Sequence, residues 1–226
     1  DDAKTASREL ELTLTGKDCG LEERAPMCGV PFHAYRSYAD KLVGAGYKVA
    51  ICEQLEDPAL AKGLVKRGLT RILTPGTITD GGAMEDRRNN FLMSVMCIGS
   101  QFGIAVADIS TGDFEATQLT TSNSGEHFIN LVSRYSPSEI IHNKAFADTA
   151  EYKTIKSATG IALTLRNERD FASDVVKQSG VTLTDSDKFS DLVMLKEACG
   201  ALIAYARETQ TEEVAHLKNV RCFTVS

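Results

Sequence analysis

No stretch of this 226-residue chain approaches the ~20 consecutive apolar residues that a membrane-spanning helix requires. No C-x-x-C pair occurs among its six cysteines (Cys19, Cys28, Cys52, Cys97, Cys199 and Cys222), and their spacing fits neither a zinc site nor a compact disulfide framework. The four histidines (His33, His127, His142 and His216) include no i, i+4 pair. The phosphate-binding pattern G-x-x-x-x-G-K-[ST] is also missing: Gly16-Lys17-Asp18 lacks both the preceding glycine and the following hydroxyl. There are no internal repeats and no low-complexity tracts. No initiator Met or charged-then-apolar leader opens the chain. Its first residues, Asp1-Asp2-Ala3-Lys4, read like the middle of a helix, so the chain is expected to be part of something longer. Cys52, Cys97 and Cys199 lie in apolar periodic segments and are expected to be small core residues in a reducing, cytoplasmic setting.

The hydrophobic fraction, 42%, is ordinary for a globular protein and sufficient for two modest domains. A net charge of −6 argues against a protein that coats nucleic acid without specificity. The distribution is more telling than the sum. Up to Asp80 there are 11 basic and 12 acidic residues, against 14 and 19 in the remainder. From Ala59 to Thr77 the chain carries Lys62, Lys66, Arg67 and Arg71 and no acid, a local positive patch on an acidic chain.

The pattern indicates an α/β protein. A short N-terminal helix is followed by a strand in which Leu10, Leu12 and Leu14 repeat at period two, and then by a polar loop from Gly16 to Pro26. Gly29-Val30-Pro31 leads into a helix over about His33–Val43, with Tyr35, Tyr38, Ala39 and Leu42 on one face and Gly44 and Gly46 as stop signals. Tyr47–Cys52 reads as a strand buried on both faces. Leu69–Thr74 reads as another, closed by a Pro75-Gly76 turn. Residues 78–88, rich in Gly, Asp and Arg, are the expected linker. Beyond it, segments 91–98, 102–110 and 113–119 form an antiparallel meander. A helix after Ser124, a strand at Glu139–His142 and a helix over Leu192–Arg207 suggest a second α/β domain with a mixed sheet.

Several segments resemble the MutS family of bacterial DNA mismatch-repair proteins. They are GVPFHA (29–34), KLV..GYKVAICEQ (41–54), DP...KGLVKR (57–67) and RILTPGT (71–77), followed by RRNNFL (87–92), ADISTGDF (107–114) and ACGALIAYARETQ (198–210). The resemblance implies a small mixed α/β mismatch-binding domain over 1–77 and an RNase H-like connector domain over 89–226. It further implies a clamp that kinks mismatched double-stranded DNA, because mispaired steps unstack more cheaply than paired ones. The connector would relay signals and dock MutL. Homodimerisation, and an ATPase holding ATP and Mg, would belong to parts outside this chain, so the chain itself is expected to carry no cofactor and no catalytic activity. The family's aromatic-x-acid lesion reader would lie just before Asp1, and the chain alone is therefore expected not to prefer mismatched duplex.

The site residues expected to contact DNA are Lys17, Met27, His33, Lys66 and Arg67. Lys66 and Arg67 suit phosphate neutralisation. Lys17 with Pro26 and Met27 suits a charged, wedge-bearing loop at a minor groove. His33 either caps its helix or approaches a phosphate at the positive helix end. Arg71, inside a strand, is expected to be structural. Two other readings compete. One is a metal-dependent nuclease on the second domain, using Asp108, Asp113 and Asp148, although a turn-forming Asp before Thr-Gly is the commoner arrangement. The other is a module that binds only proteins.

Overall fold

The computed structural model describes residues 1–20, 22–56, 65–78, 89–184, 186–189, 191–210, 214 and 216–225. Most of the expected linker, residues 79–88, and Lys62 of the basic stretch lie outside these. The described residues divide into two compact units, one formed by Asp1–Pro75 and the other taking up the chain from Gly76.

The first unit is built from α1 (Asp2–Glu9), β1 (Thr15–Lys17), β2 (Ala25–Met27), α2 (Tyr35–Gly44), β3 (Val49–Gln54) and β4 (Arg67–Leu73). Its strands form two separate antiparallel ribbons, β1–β2 and β3–β4. The expected strand through Leu10, Leu12 and Leu14 is not formed. Glu11 adopts a positive φ of 55°. Its N–H donates to the Arg8 carbonyl and that of Leu12 to the Ser7 carbonyl. This closes the end of α1 with the paired bonds of a left-handed helix cap, so the leucines are spent on the helix stop and pairing begins at Thr15. The segment expected to be a polar loop is accordingly a hairpin. Helix α2 is preceded by a 3-10 turn, Phe32–Ala34, and the chain turns away just past its end at Gly46, whose φ is 89°. Its buried side chains are Ala39 and Val43.

Strand β3 is not buried on both faces. Val49 and Ile51 are half-buried, whereas Ala50 and Cys52 are exposed. In a two-stranded ribbon the second face meets no packing layer, so the apolar run does not imply burial and Cys52 is not a core thiol. A register shift falls between Ile51 and Cys52, opposite Thr70, where Thr70 Oγ1 donates to the Ile51 carbonyl at 3.1 Å.

The second unit is a seven-stranded mixed sheet with helices on both faces. Its strands are β5 (Phe91–Ile98), β6 (Gln101–Asp108), β7 (Phe114–Leu119), β8 (Glu139–His142), β9 (Ala162–Leu165), β10 (Thr182–Leu183) and β11 (Asn219–Cys222). Their spatial order is β10-β11-β7-β6-β5-β8-β9. The central meander β5–β6–β7 is antiparallel, and every other pairing is parallel. This is the mixed sheet expected of an RNase H-like domain. The helices are α3 (Ser124–Tyr135), α4 (Ala150–Ala158), α5 (Ser173–Ser179), α6 (Ser186–Phe189) and α7 (Val193–Thr209).

Pleat alternation divides the core in two. Phe102, Ile104 and Val106 of β6 pack with Phe128, Leu131 and Val132 of α3, where Phe102 stacks on Phe128 at 5.1 Å between ring centroids. Ala105 and Ala107 join the cluster around α7 instead. The small residues on that face let α7 approach closely, and the helix is buried on more than one stripe: Cys199, Ile203 and Ala206 are inaccessible along with Leu195, Ala198 and Leu202. Gly103 marks the closest approach, since a Cβ there would sit 2.1 Å from the Met194 carbonyl oxygen.

Gly103→Ala therefore forces α7 off the sheet. The expected loss is about 3 kcal/mol, a fall in melting temperature of roughly 6–10 °C by calorimetry; an unchanged melting temperature would refute this packing. The thiols give a second check. Burial pushes the Cys97 thiol up to about 11 and raises that of Cys199 well above its ordinary value, whereas Cys19 and Cys52 are exposed. At pH 8 a disulfide reagent such as DTNB is expected to modify Cys19 and Cys52 promptly and the buried thiols only on unfolding. Cys52→Ser removes one equivalent from the fast phase; a fast phase left intact would return Cys52 to the core.

Candidate nucleic-acid interface

In the hairpin, Thr15 pairs with Met27, Gly16 with Pro26 and Lys17 with Ala25. Residues paired across an antiparallel ribbon share a face, and alternate residues return to it. Lys17 and Met27 therefore stand on one face as diagonal neighbours, and both are exposed. Thr15 Oγ1 donates to the Met27 carbonyl at 2.9 Å, fixing that register. Here the structure brings together a cation and an apolar side chain that the sequence placed ten residues apart.

His33 lies within the 3-10 turn and is exposed. It does not cap α2: the cap position is Ala34, which makes no side-chain cap hydrogen bond. The residue before it, which sequence reasoning passed over, is the more prominent. Phe32 is 85% exposed and leans on Tyr35, with ring centroids 6.0 Å apart. Pro31 immediately precedes the turn and limits its backbone freedom. Its signal was available in the sequence: an aromatic between a proline and a histidine, off the apolar face of α2. Arg24, also exposed, was missed as well; its stem lies over Gly16 on the hairpin.

Lys66 and Arg67 are held by the other ribbon. Arg67 opens β4 opposite Gln54, the Lys66 carbonyl accepts from Leu55 N–H at 2.9 Å, and both side chains are exposed. The stretch that is free of acid in sequence is not free of acid in space. Antiparallel pairing brings Glu53 opposite Gly68, and Glu56 Oε1 accepts the Lys66 N–H at 2.7 Å. The positive patch is thus a local cation pair beside two carboxylates, because the partner strand supplies the charges that the linear run lacks. Arg71 is half-buried opposite Ile51, as its strand position implied.

Of the three aspartates of the nuclease reading, Asp108 and Asp113 meet at one turn, where Asp108 N–H donates to the Asp113 carbonyl at 2.9 Å, and Asp148 does not join them. Asp108, at the end of β6, is 1% exposed. Its Oδ1 accepts from Ser110 N–H at 2.8 Å, Ser110 Oγ at 2.6 Å and Thr111 N–H at 3.3 Å, and its Oδ2 accepts from Asn90 N–H at 3.1 Å. Asp148 lines a cavity of about 730 Å³ with Gly99 and Ser100, at the opposite end of the β5–β6 pair. The eight residues of β6 separate the two by roughly 24 Å. Asp108 is a turn-forming residue, and among the described residues no cluster of three His, Cys, Asp or Glu could hold a metal. Among those residues, too, no helix is long and apolar enough to cross a membrane.

Comparison with known proteins agrees with this two-unit geometry. Residues 1–82 match the family described as MutS domain I, and residues 90–218 match MutS domain II. The chain is 45% identical over 229 aligned residues to the DNA mismatch repair protein MutS of Acetivibrio thermocellus, an alignment covering 99% of this chain and 26% of the relative. It is 44% identical to the protein of that name from Ruminiclostridium cellulolyticum and 41% identical to that from Alkaliphilus oremlandii, with the same two coverages. The chain spans about a quarter of the length of these relatives.

The role of Asp108 is open to direct test. Asp108→Ala leaves up to four donors without their acceptor and is expected to lower stability by roughly 2–3 kcal/mol. With Mg²⁺ or Mn²⁺ and labelled duplex, neither the variant nor the parent is expected to cleave; cleavage by the parent that the substitution abolishes would restore the nuclease reading.

Proposed function

The chain belongs to the MutS family of DNA mismatch-repair proteins, and from that premise we propose that its first unit grips duplex DNA kinked at a mispair. The second unit then serves as spacer, signal relay and docking surface for MutL. The single observation that carries the DNA reading is the outward display on the first unit: Lys17 with Met27 on one hairpin face, Phe32 on its turn, and Lys66 with Arg67 at the ribbon end. Lysine and arginine neutralise phosphates without reading sequence. Exposed apolar side chains are the kind that minor-groove binders press against or between base steps. Deformation makes the discrimination, since the strained step is cheapest to open where pairing is already defective. In this reading the protein works in the cytoplasm, and the family's nucleotide chemistry and dimerisation belong to the remaining three quarters of its relatives' length.

The neighbouring carboxylates Glu53 and Glu56 keep the electrostatic part modest. Duplex binding followed by fluorescence anisotropy is expected to give a slope of log K against log salt of about −3, for three cations at about 0.9 each. Replacing both Lys66 and Arg67 by Ala flattens it to about −1. Phe32→Ala leaves the slope alone and weakens binding about tenfold, the size of one lost aromatic contact. Undetectable affinity at low salt, with MutL still captured by the same chain, would rule out DNA contact by this part of the protein and leave an interaction module.

A further inference from the structure

Gly76, Thr77 and Ile78 belong to neither helix nor strand, yet a side chain from a different part of the second unit holds each of their backbones. Gly76 N–H donates to Glu139 Oε2 at 3.2 Å. Gln210 Nε2 donates to the Thr77 carbonyl at 2.5 Å, and Asn90 Nδ2 donates to the Ile78 carbonyl at 3.1 Å. The segment is sunk into the unit: a Cβ at Gly76 would lie 2.8 Å from both Glu139 Cβ and Leu92 Cδ1. The groups that hold it are themselves held. Glu139 is fully buried on β8, and its Oε1 accepts from Thr164 Oγ1 of β9 at 2.6 Å and from Tyr205 Oη of α7 at 2.8 Å. Ser138 Oγ donates to Asn90 Oδ1 at 2.6 Å. Gln210 directly follows α7, with its N–H on the Ala206 carbonyl.

We infer that residues 76–78 form a strap seated in a built receptor, and that Glu139 is the positioning residue that locks it. The chain enters the second unit at Gly76. The strap therefore ties this point of entry to β8 and to the C-terminal end of α7. This deepens the relay proposed above and rests on that reading for its consequence, but the lock itself does not depend on DNA binding.

The two carboxylate oxygens have different tasks, and this separates a lock from a merely stabilising group. Gln at position 139 can keep an acceptor toward Thr164 and Tyr205, which turns its amide donors toward the Gly76 N–H and leaves that group unpaired. Tyr205→Phe and Thr164→Val each remove a donor from Oε1 and leave the Gly76 bond in place. Hydrogen exchange on the whole chain, without DNA, is the test. In Glu139→Gln the amides of 76–78 are expected to exchange at least about tenfold faster, while β5 and α7 keep their protection. In the Tyr205 and Thr164 variants the melting temperature falls but Gly76 stays protected. Gln210→Ala, which removes the side-chain amide that donates to the Thr77 carbonyl, is expected to loosen 76–78 in the same local way and serves should Glu139→Gln fail to fold. Exchange at Gly76 that is already fast in the parent, unchanged in both Glu139→Gln and Gln210→Ala, or raised in every variant in proportion to its lost melting temperature would overturn the inference.

Discussion

A carboxylate buried in a sheet needs hydrogen-bond donors on both its oxygens, and Glu139 is where this protein meets that demand. Removing such a group from water is costly unless donors replace the lost hydration. The donors come from β9, from α7 and from the backbone of Gly76. These elements are far apart in sequence, and their common obligation to one side chain sets where the sheet edge, the long helix and the entering chain must meet. Arg166 closes the same neighbourhood from outside: its guanidinium lies over the Tyr205 ring at 5.1 Å and pairs with Asp170 at 2.9 Å and Glu208 at 2.5 Å. The guanidinium on its face and the Glu139 bond at its hydroxyl together fix the orientation of the ring.

The two units differ in what stabilises them. The second has a sheet covered on both faces, so its central strands β5 and β6 are mostly apolar and its helices are specified by close packing. The first is made of paired ribbons, a form that buries little on its own. Side chains that a thicker fold would enclose remain outside, among them Phe32, Leu55, Leu69 and Met27. A polyanionic partner with an apolar groove suits such a surface, because cation and apolar contacts are presented together. The same thinness brings Glu53 and Glu56 beside Lys66 and Arg67, so shape and apolar contact carry more of the proposed grip than net charge does.

Much of the second unit was legible. Segments 91–98, 102–110, 113–119 and 139–142 emerged as strands, and 192–207 as a helix, with shifts of at most a few residues, because two-sided burial imposes long apolar runs and helical periodicity on the sequence itself. The first unit was read less well. Leu10, Leu12 and Leu14 imitate a strand while a left-handed residue at Glu11 ends a helix; Cys52 lies in an apolar run on a ribbon with one bare face. In both places local pattern is the same whether or not a packing layer exists, and only the neighbours distinguish the cases. Lys17 and Met27 could each be suspected from residue type, but their shared face came from the hairpin register.

The sequence alone determined the family, the α/β class and the identity of the cations and apolar groups available for contact, since these depend on residue type and short-range order. Tertiary structure decided which of them share a surface, which acids lie beside them, and that Asp108 closes a turn while Glu139 holds the entering chain. The physical reason is that hydrogen-bond satisfaction and strand pairing are long-range conditions. Glu139 and Gly76 are 63 residues apart, and nothing local to either reveals that one carries the acceptor the other needs.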